Sequence, residues 1–114
     1  MAITNDSDLD GVAVLVRNNV PVMAVYVQAR QYFKMTDIQI GLYYFYYTLG
    51  EDWEPVERRF TRKAEYHRYA LPVQFTLRTT TNYITYSYWE PVLVAGSSNP
   101  RIQIVSANEF PSLK

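Results

Sequence analysis

The sequence predicts an all-β protein: a single antiparallel β-sandwich or jelly-roll-like barrel of about seven to eight short strands, spanning residues 1–114. Apolar and polar residues alternate in several short runs, which is typical of strands with one buried face. Four of the six prolines precede valine, and proline in sheets is confined to strand starts, edges and bulges. A length of 114 residues is that of one domain with one core.

The predicted strands follow one another with turn residues between them. The runs 12–17 and 20–28 are joined by Asn18-Asn19, which predicts a hairpin. The run 38–48 is closed by Gly50, and the run 73–78 alternates most regularly. The remaining predicted strands are 55–62, 83–89, 92–95 and 101–106.

The segment 53–68 has two interpretations. Trp53, Val56, Phe60 and Ala64 are spaced like one face of a helix, and acids precede bases in the way that suits a helix dipole. Against a short helix, the Trp-Glu-Pro-Val of 53–56 recurs at 89–92, where strand-forming residues surround it. We therefore expect a strand from Pro55, with the short helix as the alternative.

Tyrosine is the most unusual part of the composition, with 11 in the chain, four of them within 43–47. On a strand, Tyr43 and Tyr47 face one side and Tyr44 and Tyr46 the other, so both faces are aromatic. An uncovered aromatic face is typical of an interface or a ligand platform. The alternative is that a loop or the 51–70 segment covers it. The candidate platform residues are Tyr43, Tyr44, Tyr46, Tyr47, Tyr83, Tyr86, Tyr88, Trp53 and Trp89.

Acidic and basic residues form adjacent blocks near the middle of the chain. The candidate charged contact consists of Glu51, Asp52, Glu54, Glu57, Arg58, Arg59, Arg62, Lys63 and Arg68. Blocks of opposite charge suit self-association, with the acids of one subunit meeting the bases of the next. Two alternatives stay open: a solvated edge strand, and a groove for single-stranded nucleic acid, since aromatic residues interleave with the bases.

The N-terminal segment 1–11 is predicted to be an acidic, solvated arm. Within it Asp6, Asp8 and Asp10 precede Gly11 with the spacing of the first half of a calcium loop. The twelfth position of that loop is Arg17 rather than a bidentate glutamate, so the calcium candidate is weak. No other metal site or cofactor is expected.

The composition excludes several kinds of chemistry. Without cysteine there is no disulfide or cysteine nucleophile, and a single histidine excludes a multi-histidine metal site. The 11 basic and 11 acidic residues leave no net charge to attract nucleic acid. His67 is interpreted as a surface or loop residue. The N-terminus lacks the features of a signal peptide and no run could span a bilayer, which predicts a soluble protein made in the cytoplasm.

Together these features predict a non-enzymatic protein that works by association, as a homo-oligomer or a structural subunit of a larger assembly, through its tyrosine-rich face. The alternative is a carbohydrate-binding, lectin-like module in which tyrosine and tryptophan stack on sugar rings. The remaining alternatives are a small glycoside-type hydrolase using acids such as Glu51, Glu54 and Glu90, and a single-stranded nucleic-acid binder.

Overall fold

The computed structural model describes residues 1–34, 41–75, 77–79, 84–86, 91–96 and 101–113. These residues contain eleven strands and no helix, so the all-β prediction is confirmed. In chain order the strands are β1 Ala2–Asn5, β2 Asp10–Arg17, β3 Val20–Val27, β4 Tyr32–Lys34, β5 Gly41–Glu54, β6 Arg59–Tyr69, β7 Val73–Phe75, β8 Leu77–Thr79, β9 Ile84–Tyr86, β10 Val92–Leu93 and β11 Ile102–Ile104. Seven of them have only two to four residues, too few for alternation to predict them.

The strands form a large and a small sheet that pack against each other. The large sheet has the order β11-β6-β5-β2-β3 and is antiparallel, with β7 also paired to β5. The small sheet has the order β10-β1-β4, in which β1 runs parallel to β10 and antiparallel to β4. Strands β8 and β9 form a separate antiparallel pair.

The main core lies between the two sheets. The inner face of β5 contributes Tyr43, Phe45, Tyr47 and Leu49, and the inner face of β2 contributes Ala13 and Leu15. The small sheet covers them with Ile3 and Leu93. The resulting sandwich buries the central part of one face of the large sheet.

A second, smaller core lies on the outer face of the large sheet. Val12, Val14 and Val16 of β2 and Phe60 of β6 are buried there, with Phe110 and Leu113 of the C-terminal segment packed against them. Strand β2 is therefore buried on both sides, which explains why its sequence is almost continuously apolar rather than alternating.

The predicted hairpin at the start of the chain is confirmed. Strands β2 and β3 are antiparallel, and Asn18 and Asn19 have φ of 53° and 63°. Positive φ at both central residues is the geometry of a tight two-residue turn, which asparagine tolerates better than most residues.

The helix alternative for 53–68 is wrong, and so is the predicted strand start at Pro55. Strand β5 continues to Glu54, residues 55–58 form the turn, and β6 begins at Arg59. Trp53 and Phe60 are opposite one another across the two strands, with ring centroids 5.0 Å apart. Trp53 and Phe60 are seven positions apart, which is also the spacing of residues on one face of a helix. Here the spacing results from the length of the turn that joins the two strands.

The N-terminal segment is not a free arm, in contrast to the prediction. Strand β1 pairs with two strands of the small sheet, and Met1 and Ile3 are buried in the main core. The alternation of Ile3 with the polar Thr4 places one side chain inward and the next outward.

Of the predicted strand 83–89, residues 83 and 87–89 lie outside the described residues.

Candidate functional site

The aromatic strand β5 has one covered face and one partly open face. Tyr43 and Tyr47 are 3% and 0% exposed, so neither ring can offer a surface to a ligand or partner in this structure. This corrects their prediction as platform residues: the small sheet covers them. The Tyr47 hydroxyl donates to the Val94 carbonyl at 2.8 Å, and burial raises the pKa of the Tyr47 phenol.

The outer face of β5 is only partly covered. Leu42 and Tyr44 are exposed, whereas Tyr46 is half-buried with its ring edge-on to Phe110, 5.9 Å between centroids. The cover therefore comes from the C-terminal segment, and also from Arg68 of the 51–70 segment, whose Cζ lies 6.0 Å from the centroid of the Tyr46 ring. Tyr83, Tyr88 and Trp89 lie outside the described residues, and only the backbone of Tyr86 is described.

The two charge blocks face each other across the β5–β6 hairpin. Arg62 Nη1 lies 3.1 Å from Asp52 Oδ2, and Arg62 Nη2 lies 3.6 Å from Glu51 Oε2. Lys63 Nζ lies 3.3 Å from Glu51 Oε1. The acids and bases therefore pair within one chain, because the turn folds one block onto the other, and these three contacts weaken the case for an intersubunit charge contact.

The other predicted charged residues are dispersed. Glu54 accepts a hydrogen bond from the Glu57 backbone N–H, and Arg58 donates to the Leu113 carbonyl at 2.7 Å. Arg68 donates to Gln103 Oε1 at 2.6 Å, beside β11. Arg59 lies opposite Glu54 in the hairpin. Arg58 and Arg68 thus have protein partners at different places, the C-terminal segment and β11.

The acidic residues of the calcium candidate already have protein partners. Arg30 lies 3.0 Å from Asp6 and 2.9 Å from Asp8. Asp10 accepts from the Tyr26 hydroxyl at 2.6 Å and from the Ala29 N–H at 2.9 Å. In the described part of the chain, no three His, Cys, Asp or Glu side chains converge on a metal position. Calcium would have to displace a guanidinium, and its binding stays a hypothesis.

His67 is a core residue, which corrects the prediction of a surface position. It is 0% exposed on β6 and stacks on Tyr47, and its Nε2 lies 3.0 Å from Glu65 Oε1. Its Nδ1 has no hydrogen-bond partner.

Of the acids considered for hydrolysis, Glu51 and Glu54 lie on the hairpin and Glu90 is outside the described residues.

The most distinctive surface is one that sequence reasoning missed. Among the described strands, β3 ends the large sheet, and three of its large apolar side chains are exposed: Val20 by 57%, Val22 by 48% and Tyr26 by 41%. The signal was present in the sequence as the stretch 18–29, twelve residues without a charge. Alternation predicted a strand there but could not predict that it lies at an edge.

A groove of about 530 Å³ runs along the outer face of β3. Its floor and walls include Val22 and Ala24 of β3 and Leu113 of the C-terminal segment. Trp53 and Tyr26 also line it and meet edge-on, with centroids 6.0 Å apart. Burial, followed by the hydrogen bond to Asp10, raises the pKa of Tyr26 to about 12.

Comparison with known proteins gives no family for this chain: no family model, curated protein or solved structure matches it. The described residues include no helix of the length and apolarity needed to cross a membrane. The fold and the surfaces described above are therefore the basis for a functional proposal.

Proposed function

We propose that this chain is a non-enzymatic β-sandwich subunit that associates with copies of itself, and that the contact is the uncharged edge strand β3. The observation that supports the proposal is the combination of an edge position with an exposed apolar face over Val20–Val27. A sheet edge carries unpaired N–H and C=O groups that can accept another strand.

Edge strands in natural proteins usually carry protection against such pairing. Charged side chains, prolines and bulges are the common devices. In β3 the devices are Pro21 and a bulge at Val22: Leu15 of β2 pairs with Met23 and Val16 pairs with Pro21, so the register passes over Val22. The following residues from Met23 to Val27 contain neither a charge nor a proline and pair with β2 in a regular register.

Neither the buried tyrosines nor the charge blocks offer a comparable contact. Tyr43 and Tyr47 are inside the sandwich, and the charge blocks form ion pairs across their own hairpin. Leu42 and Tyr44 remain exposed on the outer face of β5. A test must therefore separate the β3 edge from this face.

The experiment is the measurement of mass against concentration, by sedimentation velocity, for the unmodified chain and three lysine variants. We expect the mass of the unmodified chain to rise with concentration and Val22→Lys to remain monomeric, since a charge on the edge opposes pairing. Leu42→Lys tests the outer face, and Val56→Lys, at an exposed turn position, is the matched control. A mass of one chain at every concentration would overturn the proposal.

The groove favours one second candidate, a small-ligand site of the carbohydrate-binding kind. Its volume lies in the range of ligand pockets, and it combines the rings of Trp53 and Tyr26 with the polar side chains of Arg58 and Ser112. Replacing Trp89 by Phe would leave Trp53 as the single tryptophan reporter. A sugar that shifts its fluorescence supports this candidate, and a panel of sugars without effect removes it.

A further inference from the structure

We propose that two copies of the chain pair their β3 strands antiparallel, with Ala24 of one copy opposite Ala24 of the other across a two-fold axis. This pairing joins their two large sheets into one. The inference rests on the proposed self-association through β3 and adds to it the register of the pairing. The partner is a second copy related by two-fold symmetry, so the contact is the same on both sides.

The faces of β3 restrict the registers that are open to it. Ala24 and Tyr26 lie opposite Val14 and Val12, which belong to the outer core. Met23 and Val25 lie opposite Leu15 and Ala13, which belong to the main core. Directly opposite residues of an antiparallel pair share one face of the sheet.

A two-fold pairing must therefore place outer-face residues opposite outer-face residues. This condition requires that one residue of β3 lies directly opposite the same residue of the other copy. It excludes registers in which the axis passes between two consecutive positions along the strand. Three central registers satisfy it, with Met23, Ala24 or Val25 opposite itself.

The side chains of β3 distinguish these three registers. An axis at Ala24 pairs Met23 of each copy with Val25 of the other, brings the exposed, bulged Val22 towards exposed Tyr26, and leaves Pro21 at the end of the pairing. An axis at Met23 moves Pro21, which has no N–H, opposite Val25 and inside the pairing. An axis at Val25 puts Val22 opposite Gln28, which lies beyond the strand.

Charge also favours a second copy as the partner. On a two-fold axis like charges near the centre oppose their own copies, which destabilises pairing. No residue from Asn18 to Ala29 is charged, so the symmetric contact has no such repulsion. The flanking Arg30 would lie opposite Asn18, not opposite another arginine.

The contact is small, which sets the conditions for its detection. Stable interfaces bury about 1,600 Å² in total, more than an edge-to-edge strand pair offers. We therefore expect a weak dimer whose population rises over concentrations up to about 100 µM, where covalent trapping is the suitable readout.

The absence of native cysteine makes that trapping specific. Single-cysteine variants Met23→Cys, Ala24→Cys and Val25→Cys each report one register by forming a disulfide with themselves. Opposite residues have Cα atoms about 4.5–5.5 Å apart, within disulfide range, whereas diagonal neighbours are about 7–8 Å apart. Val56→Cys, exposed in the turn, measures cross-linking by random collision.

We expect Ala24→Cys to form covalent dimer at least about tenfold faster than the other variants under mild oxidation, because only its thiols lie within bonding distance. Circular dichroism of each reduced variant verifies the fold. Faster dimerisation of Met23→Cys or Val25→Cys would overturn the register and leave self-association standing. If the unmodified chain associates but all three variants match Val56→Cys, the β3 contact is overturned. A monomeric unmodified chain overturns the proposed function itself.

Discussion

The ring of Tyr47 stacks on the imidazole of His67, with centroids 4.7 Å apart and an angle of 17° between the planes. The two residues are opposite one another on β5 and β6. The Tyr47 hydroxyl reaches the Val94 carbonyl just after the small sheet, and His67 Nε2 meets Glu65. The pair therefore links the central hairpin to the opposite layer of the sandwich.

The stacked pair predicts that His67→Ala lowers the free energy of unfolding by about 3 kcal/mol, since it leaves a cavity beneath the Tyr47 ring. His67→Phe keeps a ring in the stack and loses the contact with Glu65, so we expect it to cost less than the alanine variant. Urea unfolding measures both. Equal stability of the unmodified chain and the alanine variant would contradict the role of the stack.

Adjacent tyrosines on opposite faces of β5 give a second test. Tyr43 is 3% exposed and Tyr44 is 42% exposed. Tyr43→Ala should cost about 3 kcal/mol by opening a cavity in the main core, whereas Tyr44→Ala should change stability by about 0.5 kcal/mol. Denaturant midpoints of the two variants compare the faces directly, and a reversed order would mean that the sandwich covers the other face.

Gly50 is predicted to tolerate no side chain. A Cβ at this position would lie 2.5 Å from the Cβ of Phe60, which is buried. Gly50→Ala should therefore destabilise the chain by about 1–3 kcal/mol through overpacking. Gly41→Ala is the control, because its nearest neighbour is the flexible end of Arg17 at 3.2 Å, which can move aside. Thermal unfolding of both variants distinguishes backbone crowding from a general effect of alanine.

The hydrogen bond from Tyr26 to Asp10 predicts a change in stability at alkaline pH. Burial and this bond raise the Tyr26 pKa from 10.0 to about 12. Because the folded value is the higher one, its stabilising contribution is complete below pH 10 and is lost as pH rises towards 12. The stability advantage of the unmodified chain over Tyr26→Phe should therefore shrink across this interval. Urea unfolding at several pH values measures it; a constant difference would contradict the shift.

The parts of the fold that local sequence could predict are those with local causes. Asparagines at 18 and 19 favour a two-residue turn, and the apolar runs on either side of them predict the paired strands β2 and β3. The separation of Tyr43, Phe45 and Tyr47 from Tyr44 and Tyr46 follows from the twofold period of a strand. The hairpin of 53–60 was missed because the apolar spacing of Trp53 and Phe60 fits both a helix face and a cross-strand pair.

The location of the candidate site could not be predicted from the order of apolar and polar residues along single strands. Pairing between strands distant in the chain places β3 at the edge of the large sheet and β2 inside it, although both are rich in valine. The C-terminal segment then covers part of the outer face and forms one wall of the groove through Leu113.

The sequence by itself determined the fold class, the hairpin at Asn18-Asn19 and the division of β5 into two aromatic faces, because these depend on residues a few positions apart. Only the tertiary structure decided which face is covered, which charges are paired and which strand lies at the edge. Those features depend on contacts between distant residues, whose partners are set by how the whole chain buries its apolar surface.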